Sequence, residues 1–543
     1  AALCLLTSHS VMAQDISIGS SRTDKAPSDK VGTIAYKASG EAKFAGANPD
    51  INYTLTGDWS GLFSAEGSAN SWDISNFNNL TMEFTNPRVE GGQNGLYASG
   101  GASILLHDIA NVSITSSQKQ MVSGAIDAIP IHANNGTIKI SDVGNVTIKA
   151  PYYGNGIMVQ GDNGSVNIDA EGDISIESDP AAILVGLIAN TSETSASSLL
   201  LKGSTINIIS HSKVGVQAYD SDRLYVGPNR GKTNLQLIAN EKISINAGDC
   251  GVLQSRIIGS GAASEMIIRA PVVEVNGKAG AIVTFQSQDS KVANNIEIDA
   301  QRVNLVSGGK ASTVVKNASF ATLDVDNNSV INFVNLASSE RPQISITATE
   351  GNSIGVSDNA HLNFQNADVN VQQGNVEGTG TVVLNGSTLN LAENVTMSMK
   401  NVEGERAQIV FNTARENAVQ ITHADKNVAV LASGDLNDRY GEEALNFINA
   451  DNATTGAQAG KVRGAIVEQA DGSHVVEQNT AMTALEQMNA STFVQFRLEN
   501  NRLSQRLGEV RDNLNKAGGW ARVYGAKSRL SDSIDSTIKT NSI

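Results

Sequence analysis

TIKISDVGNVTIKAPYYGNGIMVQGDNGSVNIDAEGDISIESDPAAILV, residues 137–185, holds two successive copies of one pattern. An apolar pair at i and i+2 (Ile138/Ile140) is followed by a second pair (Val146/Ile148) and by a third apolar run (Ile157–Val159). Val166/Ile168, Ile174/Ile176 and Ile183–Val185 then repeat the set. This spacing turns both members of a pair to one side of a strand and leaves the residue between them to water. Further on, the first pair recurs as Leu199/Leu201, Leu235/Leu237, Met266/Ile268 and Ile296/Ile298. The second recurs as Ile206/Ile208, Ile243/Ile245, Val273/Val275 and Val303/Leu305. The third run recurs as Val216–Ala218, Val252–Leu253, Ile282–Val283 and Thr313–Val315. The first column advances by 28, 33, 36, 31 and 30 residues and the second by 28, 32, 37, 30 and 30. Two columns that drift together mark a structural repeat whose length changes are taken up in loops.

A repeat of this length, with three period-2 segments and no helical spacing, predicts an all-β solenoid: a right-handed parallel β-helix. A β-sandwich competes, but it does not hold a three-segment repeat in phase over so many units. Turn residues such as Asp142-Val143-Gly144-Asn145, Asp162-Asn163-Gly164 and Glu171-Gly172-Asp173 separate the segments,. The chain of 543 residues is too long for one compact core but suits a solenoid, which grows along one axis. Its 50 glycines, 4% aromatic and 17% charged residues describe a polar β surface rich in turns. A net charge of −16 argues against nucleic acid as partner, because phosphate recognition needs a basic patch. Of the two cysteines, Cys4 and Cys250, only the second lies beyond the leader, so the processed chain can form no internal disulfide.

In chain order, residues 1–13 read as the apolar end of a signal peptide, cleaved between Ala13 and Gln14,. Residues 14–100 are less regular and hold Tyr36, Phe44, Tyr53, Trp59, Phe63, Trp72, Phe77, Phe84 and Tyr97. They are expected to form an N-terminal cap over the open end of the solenoid. The parallel β-helix occupies 101–401, and a composition shift marks 402–478 as a smaller mixed β region that closes it. Residues 479–517 carry the spacing of an amphipathic helix, with Phe496, Leu503, Leu507, Val510 and Leu514 along one seam,. From 518 the pattern returns to strand, where Trp520, Arg522 and Tyr524 alternate with small and apolar residues in the manner of a membrane barrel strand,.

The residues at this junction, Asn500-Asn501-Arg502-Leu503-Ser504-Gln505-Arg506-Leu507-Gly508-Glu509-Val510-Arg511-Asp512 followed by Gly519-Trp520-Ala521-Arg522-Val523-Tyr524-Gly525, resemble the classical (type Va) autotransporters of Gram-negative bacteria, the pertactin-like proteins. The resemblance implies a β-helical passenger, a linker helix that threads the pore of a translocator barrel, and the first strand of that barrel. It also implies export through the periplasm to the outer membrane and cell surface, with 402–478 as an autochaperone-like segment. The family's barrel needs a few hundred residues, whereas 18 follow Gly525, so the sequence reads as a fragment with a truncated barrel. Some members release the passenger when an Asn attacks its own peptide bond at an Asn-Asn pair in this helix. Asn500-Asn501 lies beside that place but one residue early, with Arg502 where the second Asn belongs. Two ordinary polar helix positions are the favoured reading of the pair.

Motifs with catalytic meaning fail in context. Gly351-Asn352-Ser353-Ile354-Gly355 matches the G-x-S-x-G elbow, but that elbow needs a strand-to-helix turn. Gly227–Thr233 is one residue short of a phosphate loop and has no helix after it,. The histidines at 9, 107, 132, 211, 361, 423 and 474 show no metal-ligand spacing. No cofactor or metal is expected. The function expected is non-enzymatic display at the cell surface for adhesion or autoaggregation, toward a glycan or protein of a host or neighbouring cell. Three long interruptions of the ladder, Leu187–Leu199, Tyr219–Leu235 and Gln254–Met266, are the expected contact loops,. The alternative is a polysaccharide lyase or hydrolase, whose acidic residues (Asp169, Glu177, Asp299 and Asp324 are candidates) would have to converge in a groove.

Overall fold

A computed structural model of the chain describes residues 16–20, 22–25, 34–57, 61–84, 93–117, 128–151, 154–179, 181–186, 196–220, 232–256, 264–286, 294–315, 318–457, 464–468, 474–478, 524–530 and 536–542. The fold is nearly all strand, and every pairing in its main sheet system is parallel. Each coil contributes one strand to each of three sheets. In the first described full coil these are Glu41–Gly46, Asn52–Gly57 and Gly61–Glu66. The next coil repeats the order, and each strand pairs with its equivalent about one repeat away in the sequence. The chain is a parallel β-helix.

The apolar pairs read from the sequence stack as rungs. In the first sheet Phe44, Ile74, Leu106, Ile140, Ile168, Leu201, Leu237, Ile268 and Ile298 are partners in unbroken succession. In the second, Leu55, Met82, Ile114, Ile148, Ile176, Ile208, Ile245, Val275 and Leu305 do the same. All of these side chains are buried. Parallel partners lie about 4.8 Å apart, so each inward side chain rests on its equivalent and the core is one continuous column.

Several strands run through the corner from the first sheet into the second without a break, as in Ser71–Phe84, Ser103–Ser116 and Thr137–Ala150. The bend is made by one left-handed residue in each: Asn76 (φ 70°), Asp108 (φ 53°) and Asp142 (φ 55°). Asn and Asp tolerate this conformation best after Gly. Beside the bend, amides link successive coils. The Asn79 side chain donates to Asn52, Asn111 Nδ2 donates to Asn79 Oδ1 at 2.7 Å, and Asn145 Nδ2 donates to Asn111 Oδ1 at 2.9 Å.

Two expectations change. The described residues of the aromatic-rich stretch 14–100 are themselves coiled, with their strands in the same three sheets as the rest. Phe44, Tyr53, Phe63, Trp72, Phe77 and Phe84 are buried within these coils. The Phe63 ring lies 5.1 Å from Tyr36 and 5.2 Å from Trp72, whose Nε1 donates to Ser64 O. These rings therefore fill the bore of the helix, where the later coils use Ile, Val and Leu. Tyr97 alone among them lies on the outward side of its strand, 5.1 Å from the His132 ring; Trp59 lies outside the described residues.

The second change concerns Thr313–Val315, read above as the third segment of its coil. The strand that follows Gly280–Gln286 in the third sheet is Leu323–Val325, with Leu323 opposite Ile282. Residues 308–315 and 318–322 instead leave the coil and lie over the outside of the third sheet. Inward and outward burial look alike in a short apolar run, and the periodicity cannot tell them apart.

At the other end, the rungs continue past residue 401: Leu391, Phe411 and Ala432 are successive partners in the second sheet. A seven-residue helix, Gly434–Tyr440, starts where Ser433 Oγ accepts the Leu436 N–H at 3.2 Å, and its Leu436 is buried. Further along, Gly464–Glu468 pairs antiparallel with His474–Gln478, and Tyr524–Leu530 with Ser536–Ser542. The amphipathic stretch 479–517 lies outside the described residues.

The stacked rungs carry a direct expectation. Ile208→Ala removes a fully buried rung side chain between Ile176 and Ile245 and should cost about 2–5 kcal/mol. Asn207→Ala, one residue away on the outward side, should stay within about 0.5 kcal/mol. Urea midpoints of the two variants check this.

Candidate functional site

With the bore filled, chemistry can only reside on the outward residues, and the sheets differ sharply there. Along the second sheet the outward partners are Thr81, Ser113, Thr147, Ser175, Asn207, Ser244, Glu274, Asn304, Ser345 and Asn370. This is a polar face. Along the third sheet they are Ser64, Tyr97, His132, Met158, Leu184, Gln217, Leu253, Val283 and Asp324. Leu253 and Val283 are fully buried although they point away from the bore.

The strap formed by residues 308–315 and 318–322 covers them. Val314, Val315 and Phe320 pack on a second, separate apolar cluster of Val214, Cys250, Leu253, Ala279 and Val283. Asp249, two coils earlier, holds the strap down. Its carboxylate accepts Ser312 Oγ at 2.8 Å, the Thr313 N–H at 2.6 Å and Thr313 Oγ1 at 2.7 Å. Burial works against the charge on Asp249, but these donors outweigh it and hold the carboxyl below its ordinary range. The Cys250 thiol donates to the same carboxylate at 3.2 Å. Burial and the charge of Asp249 push this thiol well above its usual pKa, which leaves it a poor nucleophile.

Two further titratable groups sit on this face. His132 Nδ1 is 2.9 Å from Asn94 Oδ1, and Gln160 Nε2 is 2.9 Å from His132 Nε2. As placed, Nδ1 donates and Nε2 accepts, so the ring is neutral. Burial lowers its pKa to about 4. Asp324, at the end of the strap, accepts the Ala321 N–H at 2.8 Å. Burial pushes its carboxyl up to about 7, with the charge of Asp326 adding to it and the Ala321 N–H opposing it.

The candidate acids do not converge. Asp169 pairs with Lys202 at 3.0 Å outside the first sheet. Glu177 meets His211 at 2.9 Å outside the second. Asp299, 3% exposed, is held by Arg269 Nε at 2.6 Å and accepts the Leu336 N–H at 2.8 Å. Asp324 lies on the third. Ser353 of the G-x-S-x-G match is buried; its Oγ donates to Gln373 O and accepts the Ala348 N–H at 3.1 Å. It has no path to a substrate. His107, drawn between Asp73 at 2.9 Å and Asp108 at 2.6 Å, is a surface ion pair. Burial disfavours its charge, but hydrogen bonds from its ring to Asp108 and Asp73 and their charges outweigh that and raise its pKa.

The named candidates at the chain ends, Ala13, Gln14, Phe496, Asn500, Asn501, Leu503, Leu507, Val510, Leu514, Trp520 and Arg522, lie outside the described residues. Tyr524 opens the strand Tyr524–Leu530 and stands opposite Ser542. Among the described residues no helix is long and apolar enough to cross a membrane.

The expected contact loops, whose residues 187–195, 221–231 and 257–263 lie outside the described residues, connect equivalent strands. Each joins a third-sheet strand to the next first-sheet strand: Ile183–Gly186 to Ala196–Ser210, Val216–Asp220 to Lys232–Ala247, and Cys250–Arg256 to Ser264–Arg269. A fourth long connection, from Gly280–Gln286 to Asn294–Asp299, follows on the same corner. The corresponding joints in earlier coils are tight, as from Ile157–Gln160 to Ser165–Ala170. His132, Asp249 and Asp324 were not legible as a group, because nothing in a strand's alternation says that one outward face will be covered.

A parallel β-helix with a polar face, a partly strapped apolar face and a run of long connections between the third and first sheets defines an extended β solenoid with no convergent catalytic cluster among the described residues. The chain is 23% identical over 504 residues to the serine protease EspC of Escherichia coli O127:H6 (strain E2348/69 / EPEC), a match that takes in 86% of this chain and 35% of that protein. The chain thus spans about a third of that relative's length. No family model matches the chain, and no solved structure does. The likeness and the parallel solenoid together fit the passenger of a type Va autotransporter, a class exported to the cell surface.

The two buried titratable groups predict opposite pH effects. His132 has a folded pKa of about 4 against an ordinary value of 6.5, so its neutral form is favoured in the fold. Its contribution is undiminished above pH 6.5 and is lost as pH falls toward 4. The thermal midpoint of the chain relative to His132→Gln should therefore fall across that window. Asp324 keeps its proton in the fold up to about 7, against 3.8 ordinarily, so its contribution is complete below 3.8 and is lost as pH rises to 7. Asp324→Asn should raise the midpoint at pH 8 and do little at pH 3.5. Melting curves across pH check both signs.

Proposed function

We propose that this chain is an autotransporter passenger displayed at the bacterial surface, acting in adhesion or autoaggregation through the loops on the corner between its third and first sheets. The observation that carries this is that, in four consecutive coils, a long connection leaves the third sheet and rejoins the first at one corner, where earlier coils turn tightly. A shaft grows by about 4.8 Å per coil, which spaces the roots of successive loops regularly, so weak contacts at each add through effective concentration. The partner is a glycan or protein on a host or neighbouring cell. Attachment to the outer membrane would run through a translocator barrel, a reading that rests on the resemblance of residues 500–525. Release of the passenger at Asn500-Asn501 is the weaker part of that reading, given the offset of one residue.

The second reading is enzymatic. The relative is named as a serine protease, and parallel β-helices also suit polysaccharide chemistry. Against it stand the sealed Ser353 and the dispersal of Asp169, Glu177, Asp299 and Asp324 over three faces, each already engaged by a donor or a cation. The non-enzymatic reading is therefore preferred for this chain.

Two measurements test the proposal. Residues 14–543 fused to a complete autotransporter barrel should give protease-accessible passenger on intact cells, and its absence there would count against surface display. Residues 14–478 should bind components of a glycan and extracellular-matrix array without releasing reducing sugars from polysaccharides. Replacing residues 187–195, 221–231 and 257–263 with Gly-Ser linkers should abolish that binding. Release of reducing sugars would instead establish the enzymatic reading.

A further inference from the structure

The strap over the third sheet is built as a separate unit. Its two feet are pinned together: the hydroxyls of Ser307 and Thr322, both buried and 15 residues apart in the chain, lie 2.7 Å from each other. Each foot is also tied to a neighbouring coil. The Gly308 N–H donates to Gly277 O at 3.2 Å and the Thr322 N–H to Asn352 O at 3.0 Å. Gly309 takes φ 66°, and a side chain there would run into the Glu350 carbonyl, so this bend is reserved for glycine. Between the feet no described residue belongs to a strand, and the apolar cluster under the strap is separate from the bore. Lifting the strap therefore breaks no rung of the ladder, which makes it a local unit of low stability.

Two carboxylates fasten it, in opposite states. Asp249 works as an anion, taking the Ser312 and Thr313 donors, while Ser312 Oγ in turn accepts the Val314 and Val315 N–H groups at 3.2 and 3.0 Å. Asp324, at the second foot, takes the Ala321 N–H and lies between Val283 of the preceding coil and Gly355 of the next. Asp326 on its own strand and Cys250 beneath the strap face it, and the exposed Glu377 stands one rung beyond Gly355. The lysines on the neighbouring turns, Lys213, Lys278 and Lys310, are exposed. An uncharged Asp324 fits this enclosed place and a charged one does not. The closed strap thus calls for Asp249 ionised and Asp324 protonated, whereas an open strap gives both to water.

We propose that the strap is a pH-responsive latch, which lifts about its pinned feet as Asp324 ionises and uncovers Cys250 and the apolar stripe of the third sheet. The sign follows from the two acids. Asp324 holds its proton in the closed state up to about 7, against 3.8 ordinarily, while Asp249 is held below its ordinary range and is charged throughout that window. Opening is therefore favoured about tenfold per pH unit as pH rises toward 7, and levels off above it.

Cys250, fully buried under the strap with its thiol on Asp249, is the reporter. The full chain is treated with iodoacetamide from pH 5 to pH 8.5, and peptide mass spectrometry reads Cys250 apart from Cys4. Dividing the wild-type rate by that of Asp324→Asn cancels the reagent's own pH dependence. The expected ratio climbs about tenfold per unit to about pH 7 and is flat beyond. Thr313→Val, which removes one clasp donor, should speed labelling several-fold at every pH without changing that profile. A ratio that does not vary with pH would overturn the latch. So would labelling of Cys250 no faster than global unfolding, read by amide exchange of the rung strand Thr137–Ala150. Should Asp324→Asn fail to fold, amide exchange of the strap peptide in the wild-type chain, corrected for intrinsic exchange, carries the same test: protection that falls toward pH 7 supports the latch, and constant protection overturns it.

Discussion

Everything in this molecule depends on the registry between one coil and the next. Parallel strands of neighbouring coils exchange backbone hydrogen bonds residue for residue, so Ile140 must face both Leu106 and Ile168, and Ile148 both Ile114 and Ile176. A slip by one residue would turn every inward side chain outward. That constraint explains why strand spacing is kept within each pair while loops between pairs vary freely. It also explains the corner devices. Left-handed Asn76, Asp108 and Asp142 bend the strand at the same rung in successive coils, and the Asn79, Asn111 and Asn145 amides tie those rungs together.

Registry also converts chain position into surface position. Residues about thirty apart become neighbours, and a property repeated in the sequence becomes a stripe along the shaft. The second sheet acquires a file of Ser, Thr and Asn, whereas the third acquires His132, Met158, Leu184, Leu253 and Val283. An apolar outer stripe needs cover, and residues 308–315 and 318–322 supply it over Leu253 and Val283, held at Asp249. The buried acid Asp324 and the buried His132 follow from the same geometry, since an outward side chain titrates normally only where water reaches it. Four long connections leave at the corner between the third and first sheets. The strap thus seals the third face at Leu253 and Val283.

The likeness takes in 35% of a much longer relative, and a solenoid can be one part of a larger protein. A solenoid suits that role because each coil contacts only its neighbours, so segments can be added or exchanged without disturbing a distant core. The aromatic filling of the first coils fits the same logic. Phe44, Phe63, Trp72 and Phe77 occupy bore positions that Ile and Val hold later, and the sheets run through them without interruption.

The sequence by itself determined the fold class, the rungs and the corners. Period-2 pairs recurring in step can be satisfied only by strands that all bury the same side, and that information is local to each segment. It also marked the long interruptions, because a break in periodicity is visible without coordinates. It could not tell whether Thr313–Val315 entered the bore or lay outside it, since an apolar run is equally content against either side of a sheet. It could not show that Asp169, Glu177, Asp299 and Asp324 stand on three different faces, nor that Asp249 reaches Thr313 two coils away. Those facts depend on the angle between sheets and the stacking of coils, which only the tertiary structure decides.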